Sequence, residues 1–175
     1  MQLILLDNAR KERYREDILS MLRAADRDFV PPLSARFSPS QTDFRSTPLE
    51  AGVHTYFEDM RRESMLGAFE GDTLLGFVTF VENLTNAYIS ADTLPNLYIC
   101  TLLVKPEARG RNLTRVMYSH LFDTLFPTHA LFTRTWSTNA AHIRILESFG
   151  FTLSERIEND RAPGIDTVYF CKIRK

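Results

Sequence analysis

The segment Leu102 to Arg115, LLVKPEARGRNLTR, sets Arg109, Arg111 and Arg115 around Gly110 at a point where the chain must turn. The run before it, NLYICTLLV (96–104), is almost wholly apolar, as a central strand covered on both faces requires. Pro106 stops that strand, and an apolar stripe of helical period begins at Leu113. A strand, a basic turn and a helix N-terminus together make an anion site. The first amides of the helix have no intrahelical acceptor, and the helix dipole adds positive potential there. Gly110 lets the backbone approach a ligand closely, and Asn112 tolerates a left-handed bend. A phosphate or pyrophosphate is the natural guest. The segment lacks both Gly-Lys-Ser/Thr and G-x-G-x-x-G, so it is neither a P-loop nor a dinucleotide fingerprint.

The elements that must position this turn follow from periodicity. Residues 2–6 read as a strand. Residues 9–25 read as one amphipathic helix with Tyr14, Ile18, Met21, Leu22 and Ala25 on its apolar face. Residues 31–48 form a Pro- and Ser-rich loop. Thr47, Pro48 and Glu50 spell a capping box for a helix carrying Leu49, Val53, Tyr56, Phe57 and Met60. Residues 65–70 and 73–81 form a hairpin about Glu70-Gly71-Asp72, and residues 83–95 are ambiguous. After the basic turn come a helix to about 126, a strand at 130–136, a helix at 139–149 closed by Gly150, and strands at 151–157 and 166–173. The order β α α β β β α β α β β implies an α+β sandwich rather than a doubly wound fold.

Two segments in this frame resemble the GNAT superfamily of acetyltransferases. VKPEARGRNLTRVMY resembles its acyl-CoA signature, with Val104, Pro106, Arg109 and Gly110 matching; Asn112 and Thr114 stand where Gly and Gly or Ala are usual. STNAAHIRILESFGF resembles the segment after the fifth strand, with Asn139, Gly150 and Phe151 matching. The resemblance implies a mixed, mostly antiparallel sheet of about seven strands with about four helices on both faces. It implies acetyl-CoA as co-substrate and no metal. The pantetheine arm would lie along Leu102, Leu103 and Val104, pairing with the backbone like an added strand. The pyrophosphate would sit on the amides of Arg109, Gly110, Arg111, Asn112, Leu113 and Thr114, and Asn139 would meet the pantetheine or hold the splayed strands apart. The acetyl group would pass directly to an amine.

An ammonium is not a nucleophile, so a base is useful. Many relatives use a Glu near the start of the fourth strand. Here Asn96, Tyr98 and Cys100 share that face, and Glu82, at the end of the preceding strand, is the nearest carboxylate by topology. Tyr98 could orient water or substrate. Cys100 has no His/Asp partner in sequence and reads as a neutral thiol. The family's usual acid, a Tyr seven residues after the Asn, is replaced by Leu146. His142 shares the helix face of Asn139 and could serve as acid or hydrogen-bond donor, with Tyr118 a further candidate. Catalytic candidates are therefore His142, Tyr98 and Glu82. Residues 26–48 and 158–167 would line the acceptor site, offering Phe29, Phe37, Phe44 and Arg36, and Glu158, Asp160, Arg161 and Asp166. The carboxylates would suit an ammonium, and Arg36 or Arg161 a substrate carboxylate.

Composition bounds the partners. The 175 residues are 44% hydrophobic and 25% charged with net charge −1, which suits one globular domain over 1–175 and argues against a general nucleic-acid coat. Twenty aromatics (13 Phe, 6 Tyr, 1 Trp) disfavour disorder. Cys100 and Cys171 have neither zinc spacing nor a disulfide framework. The N-terminal apolar run, Leu3 to Leu6, is too short for a signal or a membrane span. The expectation is a cytoplasmic enzyme acting on a small-molecule amine of amino acid, amino sugar or polyamine type, with no nucleic-acid or membrane partner and a possible homodimer. A protein N-terminal or lysine acetyltransferase, and a non-catalytic acyl-CoA sensor, are the alternatives.

Overall fold

The computed structural model describes residues 1–44 and 52–174. Seven strands form one mixed sheet in the order β1-β2-β3-β4-β5-β7-β6. They are β1 (Gln2–Leu5), β2 (Ser64–Glu70), β3 (Thr73–Glu82), β4 (Asn96–Val104), β5 (Ala130–Trp136), β6 (Thr152–Ala162) and β7 (Ile165–Lys172). Only β4 and β5 run parallel; every other neighbouring pair is antiparallel.

Among the described residues five α-helices accompany the sheet: α1 (Asn8–Arg13), α2 (Arg15–Ala25), α3 (Gly52–Met60), α4 (Leu113–Ser119) and α5 (Ala140–Ser148). The single helix expected over 9–25 is two, because Tyr14 leaves helical geometry at φ −98° and ψ 15°. The expected stripe survives the break: Tyr14, Ile18, Met21, Leu22 and Ala25 are all buried. The capping box of Thr47, Pro48 and Glu50, and Leu49 with it, lie outside the described residues. α4 runs on into a π-helical segment, His120–Leu125.

Strand alternation feeds two cores. Phe77 joins Ile18, Leu22, Tyr56 and Phe57 beneath α2 and α3. Its neighbour Val78 points the other way, joining Ile99, Met117, Phe122 and Leu146 beneath α4 and α5. Each such fully buried side chain contributes roughly 1.5–3 kcal/mol from burial, so the sheet is anchored from both faces.

The terminal hairpin is longer than its pattern suggested. Of residues 159–166, expected as connection, 159–162 belong to β6 and 165–166 to β7, and the turn is Pro163–Gly164. A register shift between Ile157 and Ala162, with Asn159 at φ 54°, absorbs the polar residues as a bulge. The ambiguous stretch 83–95 is a loop with an isolated Asn86–Ile89 bridge and a 3-10 turn at Ala91–Thr93.

Candidate active site

The site opens where β4 leaves β5. The two strands pair from Asn96–Ala130 to Ile99–Thr133 and no further. Thr133 Oγ1 donates to the Ile99 carbonyl at 3.1 Å and closes the ladder. At the same level β3 skips a residue against β4, between Val78 and Phe80. The Thr101 amide donates to Thr79 Oγ1 at 3.2 Å in place of a regular ladder bond. β4 is thereby turned away from its neighbour, and Arg134, Thr135 and Trp136 pair only with β7. The backbone of Cys100 to Val104 is left without a strand on the β5 side. A cavity of about 720 Å³ fills the wedge, lined by Leu102, Leu103 and Val104 on one side and by Thr135, Trp136, Asn139 and His142 on the other.

One end of the cavity reaches the basic turn. Pro106–Ala108 makes a 3-10 turn, Gly110 sits at φ 78° and Asn112 at φ 59°, and α4 begins at Leu113. Two left-handed residues flanking Arg111 fold the backbone into a concave loop, and no side chain caps the first amides of α4. A Cβ built on Gly110 would meet nothing within 4 Å, so the space before this backbone is open. A second cavity of about 200 Å³ lies there, lined by Arg109, Gly110, Asn112, Thr114 and Arg115. Arg109 reaches Asp28 at 3.4 Å, and Arg115 donates to Ser148 Oγ at 2.7 Å. Arg111 is turned outward to Glu70 at 2.6 Å, so it contributes its backbone rather than its side chain.

Residues 27–151 match the model of the Acetyltransferase (GNAT) family. The chain belongs to that family. It is accordingly an acyltransferase. No curated protein sequence matches it. Among solved structures, the fold is similar to a ribosomal-protein-alanine N-acetyltransferase from Brucella melitensis, at 16% identity and TM-score 0.68, over 99% of this chain and 100% of that one. It is also similar to a putative acetyltransferase from Salmonella typhimurium with its cofactor acetyl-CoA, at 18% identity and TM-score 0.64, over 99% and 93% of the two chains. A ribosomal-protein-S18-alanine N-acetyltransferase from Escherichia coli shares the fold at 16% identity and TM-score 0.59, over 99% and 94%.

In this GNAT chain the middle of the cavity holds a proton-bearing pair. The Tyr118 hydroxyl and His142 Nε2 lie 2.8 Å apart, and both residues line the wall. Burial pushes His142 down to about 4, so its ring is neutral at neutral pH. Burial also raises the Tyr118 phenol above its ordinary range and keeps it protonated. Asn139 caps α5 by accepting from the His142 amide at 3.4 Å, and its Nδ2 donates to Thr135 Oγ1 at 3.0 Å. It therefore ties the start of α5, and with it the imidazole, to the diverging strand.

The other sequence candidates fall elsewhere. Tyr98 is fully buried among Ile89, Phe132 and Tyr169 and does not line the cavity. Glu82 is exposed and pairs opposite Leu97, where β4 is still zipped to β5. Cys100 does line the wall, but burial holds its thiol well above the usual range. Behind it lies Glu63, which the sequence did not single out. The residue is 8% exposed, and among the described residues its Oε2 has no hydrogen-bond partner.

Burial raises Glu63 from 4.5 to about 7. Between those values the folded chain keeps a proton that the unfolded chain has lost. Stability therefore falls as pH rises through this window, by an amount on the order of 3 kcal/mol. Urea unfolding at pH 5, 6, 7 and 8 should show that decline in the wild type. Glu63→Gln should flatten it and be the more stable protein at pH 8. An unchanged slope in the variant would assign the dependence to another group.

The end of the cavity away from the basic turn is walled by the loop that follows α2. Phe29 and Trp136 line the cavity with their rings 5.4 Å apart. Phe37 points to solvent at 45% exposure. Asp166 is engaged by Arg156 at 2.7 Å, and Asp160 Oδ2 accepts from the Thr167 hydroxyl at 2.6 Å. Glu158 is exposed. Arg36 and Arg161 are buried, and Arg134, absent from the sequence reading, stands with them and lines the cavity. Its signal was available: one charge on the face that otherwise carries Phe132 and Trp136.

Proposed function

We propose that residues 1–175 form one acetyltransferase unit that moves the acetyl group of acetyl-CoA directly to the amine of a small molecule in the cytoplasm. The observation that carries this reading is the wedge between β4 and β5, continuous with the cradle at Gly110. Free backbone groups on Leu102–Val104 suit a pantetheine arm, which can add as a strand. The concave loop through Arg109–Thr114 and the uncapped start of α4 suit its pyrophosphate. When bound, acetyl-CoA supplies the activated acetyl thioester.

The chain's own residues then have three tasks. The walls of the wedge hold the amine and the thioester together, which alone lowers the barrier by removing the entropy of encounter. Phe29 and Trp136 wall the acceptor end. Tyr118 faces the wedge with a proton to deliver to sulfur as the carbon–sulfur bond breaks and the carbon–nitrogen bond forms. As the phenol gives up its proton, neutral His142 can donate from Nε2 while its Nδ1 takes a proton from solvent, so the ring stays neutral. The amine loses its own proton to water in the wedge.

The choice of a small acceptor over a protein terminus rests on the loop after α2. It is pinned across the acceptor end by Arg134 donating to the Pro39 carbonyl and Arg161 to the Val30 carbonyl, both at 3.1 Å. An extended peptide needs that space open. Two free cysteines are consistent with a reducing compartment, and among the described residues no helix is long and apolar enough to cross a membrane.

Thiol release from acetyl-CoA, run against amino acids, polyamines, amino sugars and short peptides, tests the reading. Turnover should appear with a small amine and be weaker with peptides. Coenzyme A binding by calorimetry without turnover across the panel would replace the enzyme with a sensor.

A further inference from the structure

The acceptor end contains more buried positive charge than the fold accounts for. Arg36 from the loop, Arg134 from β5 and Arg161 from β6 surround one ring, Phe44. Their guanidinium carbons stand 5.3, 4.8 and 3.8 Å from its centroid. All three side chains are nine-tenths or more buried. Among the described residues their hydrogen bonds go to neutral oxygens. Arg36 donates to the Pro31 and Val30 carbonyls, Arg161 to Val30 and to Thr167 Oγ1, and Arg134 to the Tyr169 hydroxyl and the Pro39 carbonyl. Among the described residues no ion pair involves any of them; all eleven lie elsewhere.

One buried carboxylate stands nearby: Asp160 accepts from the Thr167 hydroxyl to which Arg161 donates. Three desolvated cations against that single anion leave an excess of positive charge that a second anion would offset. The strain is visible in the groups themselves. Burial lowers Arg36 to about 10, and burial together with Arg36 and Arg134 lowers Arg161 against the opposing pull of Tyr98 and Asp160. Arg134, despite its burial, is raised by the neighbouring Tyr98 and Tyr169 hydroxyls. A set of carbonyl staples for the loop would need donors, but not three permanent cations around a single ring. The cluster also has an entrance. Arg134 lines the large cavity directly, and Phe29, another lining residue, carries Arg36 on its ring at 5.2 Å.

We infer that this cluster binds an oxyanion carried by the acceptor, so the acceptor is an anionic amine, one bearing a carboxylate or phosphate beside the amino group. This rests on the acetyltransferase reading. Arg134 is the contacting residue, and Arg36 and Arg161 are the charges behind it. A guanidinium takes either oxyanion through two parallel N–H bonds, which fixes orientation as well as affinity. The anion would hold the acceptor by one end while its amine points along the wedge toward Tyr118.

The test compares matched acceptors: glutamate against glutamine, alanine against alaninamide, and phosphoethanolamine against ethanolamine. In the wild type the anionic member of the pair that fits should have a kcat/KM about 100-fold higher, the scale of one desolvated charge pair. Arg134→Gln should erase that preference through KM while leaving KM for acetyl-CoA unchanged, and Arg134→Lys should restore part of it. Which pair responds separates a carboxylate from a phosphate. A structural staple predicts something else: lower thermal stability with equal losses for charged and uncharged acceptors. Turnover that favours the uncharged or cationic amine would overturn the inference and leave the enzyme reading standing. If coenzyme A binds but no amine turns over, the enzyme reading fails, and malonate and inorganic phosphate decide the site by themselves. A Tm rise in wild type that Arg134→Gln loses supports it, and no rise in wild type overturns it.

Discussion

Gly110→Val should raise the dissociation constant of coenzyme A by roughly 100-fold or more, with the fold intact. Two effects combine, and they are separable. The first is backbone strain. Gly110 holds φ 78°, where a β-branched residue costs on the order of 1–3 kcal/mol. For a chain of this length that shifts Tm by a few degrees per kcal/mol, a loss the protein survives. The second is occlusion. The space before the Gly110 backbone is open, with nothing within 4 Å of a Cβ, and it adjoins the small cavity at the start of α4. The valine branch enters that opening, which is where a pyrophosphate must come within hydrogen-bond distance of the amides. Losing two charge-assisted bonds at about 1.5–3 kcal/mol each gives the expected fold-change. Gly110→Ala, with similar strain and less bulk, should lose less. Calorimetry with coenzyme A beside a thermal melt separates the two effects. Normal binding by the valine variant would remove the pyrophosphate from this loop.

Why the cradle was legible in sequence, and the arginine cluster largely was not, is a matter of range. Pro106, Gly110 and Asn112 act on their own neighbours. One ends a strand, and the other two supply the left-handed turns that lead into α4. The cap of α5 is equally local, since Asn139 accepts from an amide three residues on. The wedge is not local. It depends on a side chain of β3, Thr79, taking an amide of β4 twenty-two residues later, and on a ladder that ends at Ile99. No spacing within one strand encodes that. The arginines are more distant still. Arg36 and Arg161 each suit a substrate carboxylate in sequence, but only the closing of the loop over β5 and β6 puts them with Arg134 around Phe44. Glu82 shows the converse. Its position at a strand end was read correctly, but which end of β4 opens is a property of the whole sheet.

Tyr118→Phe should lower kcat by about 100-fold, the lower end of what a positioned acid contributes, with KM for acetyl-CoA changed little. The hydroxyl is in the right protonation state for the task. Burial holds the phenol protonated at any pH the enzyme meets, and its partner 2.8 Å away, His142, is held neutral by burial. A neutral imidazole can donate from Nε2 to the phenol while Nδ1 takes up a proton, so the pair can hand on a proton without leaving a buried charge. This changes what His142 is expected to do. A ring that titrates near 4 is not an imidazolium acid at neutral pH, so His142 acts through Tyr118 as a positioning residue. His142→Ala should therefore cost less than Tyr118→Phe, and the double variant should cost no more than Tyr118→Phe alone, as expected for groups acting as a unit. The pH profile supplies the second readout. With His142 neutral above about 4, kcat in wild type should show no limb near 6.5 that the His142→Ala variant removes. Such a limb, lost on that substitution, would make His142 itself the acid. A Tyr118→Phe variant with wild-type kcat, stability lowered by about 1 kcal/mol for the lost hydrogen bond, would return the pair to packing and leave the thiolate to depart unassisted.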